Sequence, residues 1–477
     1  MKRESGVLMH VSTLWGDFGI GSFGKEARAF VDFLATAGYS WWQVLPFSMP
    51  DEYGSPYKSY SAFAGNPYFI DLPTLWREGL ITDAELAHAR QRCDHTSELA
   101  RLREERIPLL LRAAARVKDT APILAFLEEK PEVAQLCRYM ALRHANGDTP
   151  WQEWTVTEPD EALVLGWAFI QYTFFRQWTS VKQYANERGI RILGDIPIYV
   201  ASDSADVWAS PHLFDLNAKG YPRRVSGVPP DYFAEDGQLW GNPLYRWDVM
   251  KRDGYAWWQK RLSLMLELFD GVRIDHFRAI EHYWSVPASA RTAREGKWVK
   301  GPGAPFLRAM KEVAGDKLLI AEDLGDITPA VHRLMKQAGL PGMRVFQFAF
   351  LGDPSSPHLP HNYPENCVAY TGTHDNNTLL GYIWEQDSAT RKKILAYCQY
   401  TGENWDGGYD NIIRTVLASH ARLTVFPIQD LLHYGCDCRL NTPGKAEGNW
   451  TWRLTARQMQ ELDPHRLRRD NELYGRV

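Results

Sequence analysis

Apolar positions along the chain fall into short β-branched or aromatic runs separated by stretches of helical spacing. Eight runs stand out: Gly6–Val11, Trp41–Phe47, Arg191–Val200, Gly271–Phe277, Lys317–Leu324, Met343–Phe350, Cys367–Thr373 and Arg422–Gln429. Most of them end in a polar or charged cluster. Helical patterns occupy gaps between them, as in Lys25–Ala37 after the first run, Trp167–Arg188 before the third and Pro329–Ala338 before the sixth. Eight buried strands alternating with helices predict an α/β protein with a (β/α)8 TIM barrel rather than an open sheet. In such a barrel the functional groups sit at the C-terminal ends of the strands, which is where the charged clusters fall.

Two gaps are too long for a simple connection. Residues 72–150 are rich in Ala, Leu, Glu and Arg at helical spacing, as in Asp83–Arg92 and Thr96–Val117, and predict a helical insertion subdomain. Residues 201–261 are instead dense in Pro, Gly, Asp, Trp and Tyr, and predict a long aromatic, loop-rich insertion over a cleft. With no internal repeat or low-complexity tail, residues 1–477 read as one domain carrying both insertions.

Composition narrows the partners. The chain is 45% hydrophobic and 23% charged, as expected of a globular protein with a large core. A formal net charge of −4 without a basic block argues against nucleic acid and anionic membranes. Aromatics are the outlier, with 19 Trp, 22 Tyr and 20 Phe. Many lie in Gly/Pro/Asp-rich loops, where a flat apolar face with a polar edge suits sugar rings. Six scattered cysteines form no disulfide framework, and Cys436-x-Cys438 lacks a second ligand pair, so neither metal nor cofactor is expected. The absence of a long apolar run or signal-like start gives a cytoplasmic expectation.

The candidate chemistry lies in carboxylates at strand ends. Gly271-Val272-Arg273-Ile274-Asp275-His276-Phe277-Arg278 places Arg273 and Asp275 on one strand face, an arrangement that holds a carboxylate ionised. Ala321-Glu322-Asp323-Leu324-Gly325 ends another run, Thr373-His374-Asp375-Asn376 a third, and Asp195 sits inside Gly194–Val200. Each has a plain structural reading: an ion pair at Asp275 or Asp195, a solvated turn at Asp323, a helix cap at Asp375. Together they put several acids on one rim. Retaining glycoside chemistry needs one ionised carboxylate as nucleophile and one protonated carboxyl as acid. Asp275, paired with arginine, suits the first, and Glu322, leaving an apolar strand, suits the second. His374 and Asp375 are placed to hold sugar hydroxyls.

These motifs resemble the α-amylase superfamily, and specifically the amylomaltase (4-α-glucanotransferase, disproportionating enzyme) family, over nearly the whole chain. The resemblance extends to Gly54-Ser55-Pro56-Tyr57, Ser61-Ala62-Phe63-Ala64-Gly65-Asn66-Pro67, Gly227-Val228-Pro229-Pro230-Asp231-Tyr232-Phe233 and Gly237-Gln238-Leu239-Trp240-Gly241-Asn242-Pro243. It continues through Gln429-Asp430-Leu431-Leu432, Arg439-Leu440-Asn441-Thr442-Pro443-Gly444 and Gly448-Asn449-Trp450. It implies Asp275 as a nucleophile forming a covalent glucosyl-enzyme, Glu322 as acid/base and Asp375 as transition-state stabiliser. It further implies substrate contacts from Arg273, His374, Asp195, Tyr57, Ser55, Tyr232, Phe233, Trp240 and Asn441, and a peripheral glucan site at Tyr53. Asn377 stands where the family commonly has Asp. The short bacterial form is implied, acting on maltooligosaccharides and starch- or glycogen-derived glucans, with cyclisation of amylose as a further capacity. The alternatives are a retaining α-glucan hydrolase and a glucan-binding relative without catalysis.

Overall fold

The computed structural model of the chain describes residues 2–51, 53–230, 235–402, 406–445 and 447–477. Among these are β1 (Glu4–Leu8), β2 (Trp41–Gln43), β3 (Arg191–Ile196), β4 (Arg224–Val228), β5 (Gln238–Pro243) and β6 (Gly271–Ile274). The remaining strands are β7 (His282–Pro287), β8 (Lys297–Lys300), β9 (Leu318–Ala321), β10 (Gly342–Val345), β11 (Cys367–Tyr370) and β12 (Leu423–Pro427). Eight of them run parallel in the order β10-β11-β12-β1-β2-β3-β6-β9, and each overlaps one of the eight predicted runs, with β1 starting two residues and β10 one residue earlier than predicted.

The period of two along each strand separates an interior from an exterior. Leu8, Leu193, Ile320, Met343, Val345, Val368, Tyr370, Leu423 and Val425 fill the barrel, while Val7, Trp42, Ile192, Val272 and Ala369 face the helices. Asp195 follows Leu193 at that spacing and Glu322 follows Ile320, so the alternation that packs the interior also carries these acids to the inner rim.

The seam between β9 and β10 closes by other means. Ala321 N donates to Pro341 O at 2.9 Å. The Asp323 carboxylate accepts from Met343 N at 2.6 Å and from Arg344 Nη1 at 3.1 Å. Asp323 is therefore a buried latch and not a solvated turn. Glycine is required opposite it, because a Cβ on residue 342 would stand 2.4 Å from Asp323 Oδ2.

Between β2 and β3 lie the helices Leu72–Arg77, Asp83–His88, Leu99–Ala114, Ala121–Glu129 and Pro131–Ala145, followed by the 27-residue helix Glu161–Glu187. Residues 201–261 differ from the loop-rich expectation. They carry the helices Ala205–Ala209 and Trp247–Arg252, the hairpin β4–β5 and the start of the helix Ala256–Leu268. The hairpin belongs to an antiparallel sheet of order β5-β4-β7-β8, whose other two strands come from residues 282–300. No described helix is long and apolar enough to cross a membrane.

Candidate active site

Arg273 is the hub of the rim. It ends β6 on the inner face, is buried, and donates from Nη1 to Asp195 Oδ2 at 2.6 Å and from Nη2 to Asp275 Oδ1 at 2.7 Å. One guanidinium thus holds two carboxylates from neighbouring strands, the arrangement in which its fork outperforms an ammonium. Asp195 also accepts from the Tyr57 hydroxyl at 2.7 Å, and its second oxygen is buried without a hydrogen-bond partner. Burial pushes the Asp195 carboxyl up, with Asp275 adding to the push and Arg273 opposing it. Asp195 thus lies behind Tyr57, tied to the guanidinium that holds Asp275. Asp275 itself is about a quarter exposed and lines the cleft.

Glu322 follows β9 and is nearly buried. Its Oε2 accepts from His276 N at 2.8 Å and its Oε1 from Leu324 N at 2.9 Å. The first bond sets it beside the residue that directly follows Asp275. His276 adopts the left-handed conformation, φ 49°, a local strain at the rim that turns its N–H onto Glu322. Burial raises the Glu322 carboxyl to about 8, with Asp275 adding to the rise and Arg273 and the Leu324 amide opposing it. It is therefore protonated at neutral pH while its neighbour Asp275 is held by a cation.

Asp375 comes from the turn after β11. Its Oδ1 accepts from Asn441 Nδ2 at 2.6 Å, His374 Nε2 lies 3.3 Å from Oδ2, and Arg439 Nη2 donates to its main-chain oxygen at 2.7 Å. Arg439 Nε also donates to Asn441 O at 2.7 Å, so one side chain sets both the acid and its amide partner. Asn377 donates to Glu385 Oε1 at 2.6 Å, which directs it away from Asp375. Tyr57 and His374 stack at 5.2 Å, with Trp450 at 6.0 Å from Tyr57 and 5.9 Å from His374.

Asp275, Asp375, His374 and Tyr57 line a cleft of about 330 Å³, with Ser55, Tyr199, Trp240, Asn441 and Trp450 also in its walls, whereas the nearly buried Glu322 and the buried Arg273 and Asp195 are not among its lining residues. Trp240 stands on β5, 37% exposed, its ring 4.7 Å from His276 and 6.3 Å from Tyr199. Tyr53 is exposed on the neighbouring turn and does not line the cleft. Tyr232 and Phe233 lie outside the described residues. Sequence reasoning passed over Arg439, His276, Tyr199 and Trp450 as site residues. Arg439 and Trp450 stand inside the quoted C-terminal motifs and His276 directly follows Asp275, which was the available signal.

A family model described as 4-alpha-glucanotransferase matches residues 9–459. The 4-alpha-glucanotransferase of Thermus thermophilus is 44% identical, with 98% of each chain covered. That of Clostridium butyricum is 40% identical over 98% of this chain and 100% of its own. A solved amylomaltase from Streptococcus agalactiae in complex with acarbose superimposes with a TM-score of 0.94 at 36% identity, covering both chains fully. The amylomaltase of Corynebacterium glutamicum shares the fold at a TM-score of 0.82 and 18% identity, over 98% of this chain and 74% of its own. Fold and site thus define a (β/α)8-barrel enzyme with carboxylates gathered at the rim of its cleft. Within that class the chain belongs to the 4-alpha-glucanotransferase, or amylomaltase, family.

Proposed function

We propose that the enzyme moves 4-α-glucan segments between maltooligosaccharides, or from starch- and glycogen-derived glucans to glucose, by a retaining double displacement on Asp275. The observation that carries this reading is the split pair: Asp275 bound to Arg273, and Glu322 nearly buried beside His276, where burial raises its carboxyl to about 8. In the first step an Asp275 oxygen attacks the anomeric carbon. The glycosidic C1–O4 bond breaks and the leaving oxygen takes the Glu322 proton. In the second step Glu322, now ionised, removes the proton of an acceptor 4-hydroxyl as that oxygen attacks C1 and displaces Asp275. Net configuration is retained. Asp375 would grip hydroxyls of the reacting ring as positive charge develops, held in place by Asn441 and Arg439. Tyr57, with His374 stacked on it, gives the donor sugar an aromatic wall. When the acceptor is the far end of the same glucan, the same second step gives a cycle. The six cysteines are all free, in keeping with a reducing cytoplasmic setting.

Product analysis from maltotriose tests the reading. Transfer yields glucose and a ladder of longer oligomers, whereas reducing ends that accumulate without a ladder would mean hydrolysis. Asp275→Asn should remove turnover while oligosaccharide binding persists. Undiminished turnover in that variant rules out Asp275 as the nucleophile.

A further inference from the structure

Cys93, Asp94 and His95 stand at the surface, between the helices Asp83–His88 and Leu99–Ala114 and outside the cleft lining. Each offers one ligand atom, and these atoms lie within 4.8 Å of one another. Cys93 Sγ is 3.5 Å from His95 Nδ1 and 3.7 Å from Nε2, and Asp94 Oδ1 is 3.1 Å from His95 Nδ1. Ligands bound tetrahedrally to zinc, with bonds of about 2.3 Å to sulfur and about 2.0 Å to nitrogen or oxygen, stand roughly 3.3–3.6 Å apart. The Cys93–His95 and Asp94–His95 separations bracket those edges. An exposed Asp–His ion pair explains two of the three side chains, but it leaves the thiol against the imidazole edge without a purpose.

The segment that presents them is tied down on both sides. Gln91 N donates to Asp17 O at 2.7 Å, Ser97 N to Thr451 O at 2.7 Å, Glu98 N to Gly19 O at 2.9 Å and Arg453 N to His95 O at 3.0 Å. The Glu98 carboxylate accepts from Cys93 N at 2.9 Å. Backbone ordered in advance lowers the entropy lost when an ion binds. A thiol, an imidazole and a carboxylate together favour zinc(II) over the hard cations calcium and magnesium. We propose that Cys93, Asp94 and His95 form a binding site for a borderline-soft divalent cation, zinc(II) foremost, with water completing four-coordination. The occupant rigidifies residues 93–95, whose backbone and that of Ser97 pair with Thr451 and Arg453, and so stabilises the fold without entering the chemistry.

The full-length protein, stripped by chelator, is titrated with cobalt(II) and then zinc(II). The expected result is one equivalent of cobalt bound with a thiolate-to-metal charge-transfer band, displaced by zinc at micromolar concentration. Cys93→Ser should abolish the band. His95→Gln should weaken binding by at least the roughly 10–100-fold that lesser perturbations of metal sites cost. Cys436→Ser, which removes the other exposed thiol considered in the sequence, should bind as the parent does. Zinc should also raise the melting temperature of the parent and not of Cys93→Ser. A missing thiolate band, binding only at millimolar metal, or a Cys93→Ser protein that titrates like the parent would each overturn the site.

Discussion

A carboxyl that is to donate a proton at neutral pH has to be kept from ionising, and Glu322 is kept so by burial and by the charge of Asp275, to about 8. Two consequences follow at this residue. Turnover should fall as the pH rises through about 8, because the acid required for the first displacement is lost. Stability moves the same way. The native carboxyl holds its proton up to about 8 and the unfolded chain only to its ordinary 4.5, so this contribution is complete below 4.5 and disappears as the pH climbs through 8. Glu322→Gln tests both. An amide has one acceptor oxygen, whereas Glu322 accepts on two, from His276 N and from Leu324 N. The variant should therefore be less stable near neutral pH by about 1–3 kcal/mol and should lose this dependence on pH, as melts across the pH range would show. Its turnover on glucans should drop roughly 10²–10⁴-fold. The loss should be much smaller on α-glucosyl fluoride, whose leaving group needs little protonation. Equal losses on both donors would remove Glu322 from the role of general acid.

Single elements carry the next level of the argument. The barrel closes between β9 and β10 through Asp323, so Gly342→Ala, which forces a Cβ to within 2.4 Å of Asp323 Oδ2, should destabilise the protein by about 1–3 kcal/mol. A melt unchanged from the parent would show that the latch yields without cost. After the last strand, Arg439 fixes Asp375 and Asn441 together. Arg439→Ala should lower kcat on the order of 10–100-fold, by analogy with other groups that orient catalytic residues. The KM for maltotriose should move less, and a KM-only effect would make Arg439 a binding residue instead. These two elements also mark the reach of sequence reasoning. The eight barrel strands were legible because buried parallel strands are near-continuous apolar runs. Asp275, Glu322 and Asp375 stand out as candidates because each acid lies near the end of such a run or just past it. Strands β7 and β8 were not, since His282–Pro287 and Lys297–Lys300 are largely half-buried or exposed, and β7 pairs with β4 more than fifty residues earlier. The latch at Asp323 was hidden for a related reason. An acid beside Glu322 reads as a rim group until the seam partner Met343 is known, and pairing across a closed barrel leaves no local signature.

The two ends of the whole barrel are built differently. At the end away from the cleft, Arg476 donates to the main-chain oxygens of Leu417, Ser419, Ala421 and Glu4, and Arg3 donates to those of Leu417 and Ser419. Two guanidiniums there satisfy carbonyls at the end of the helix Tyr409–Ala418 and tie the first strand to the last residues. At the cleft end, groups from residue 55 to residue 450 converge, and the antiparallel sheet holds Trp240 over His276. The contrast bears on the outcome of the reaction, because water and an acceptor sugar compete for the same glucosyl-enzyme. Among the described residues Trp240 is the most exposed aromatic lining the cleft, and it sits on the hairpin against His276, the residue after the proposed nucleophile, where it can stack on an acceptor and shield C1. In Trp240→Ala the first displacement should persist, since Asp275 is held by Arg273 and Glu322 by the His276 and Leu324 amides, not by the ring. Loss of stacking worth about 1.4 kcal/mol would raise the acceptor KM about tenfold, and the share of turnovers ending in water should rise. Counting reducing ends against oligomer ladders from maltotriose measures that partition directly. A Trp240→Ala protein with the parent's ratio of transfer to hydrolysis would show that the hairpin does not govern which nucleophile reaches the intermediate.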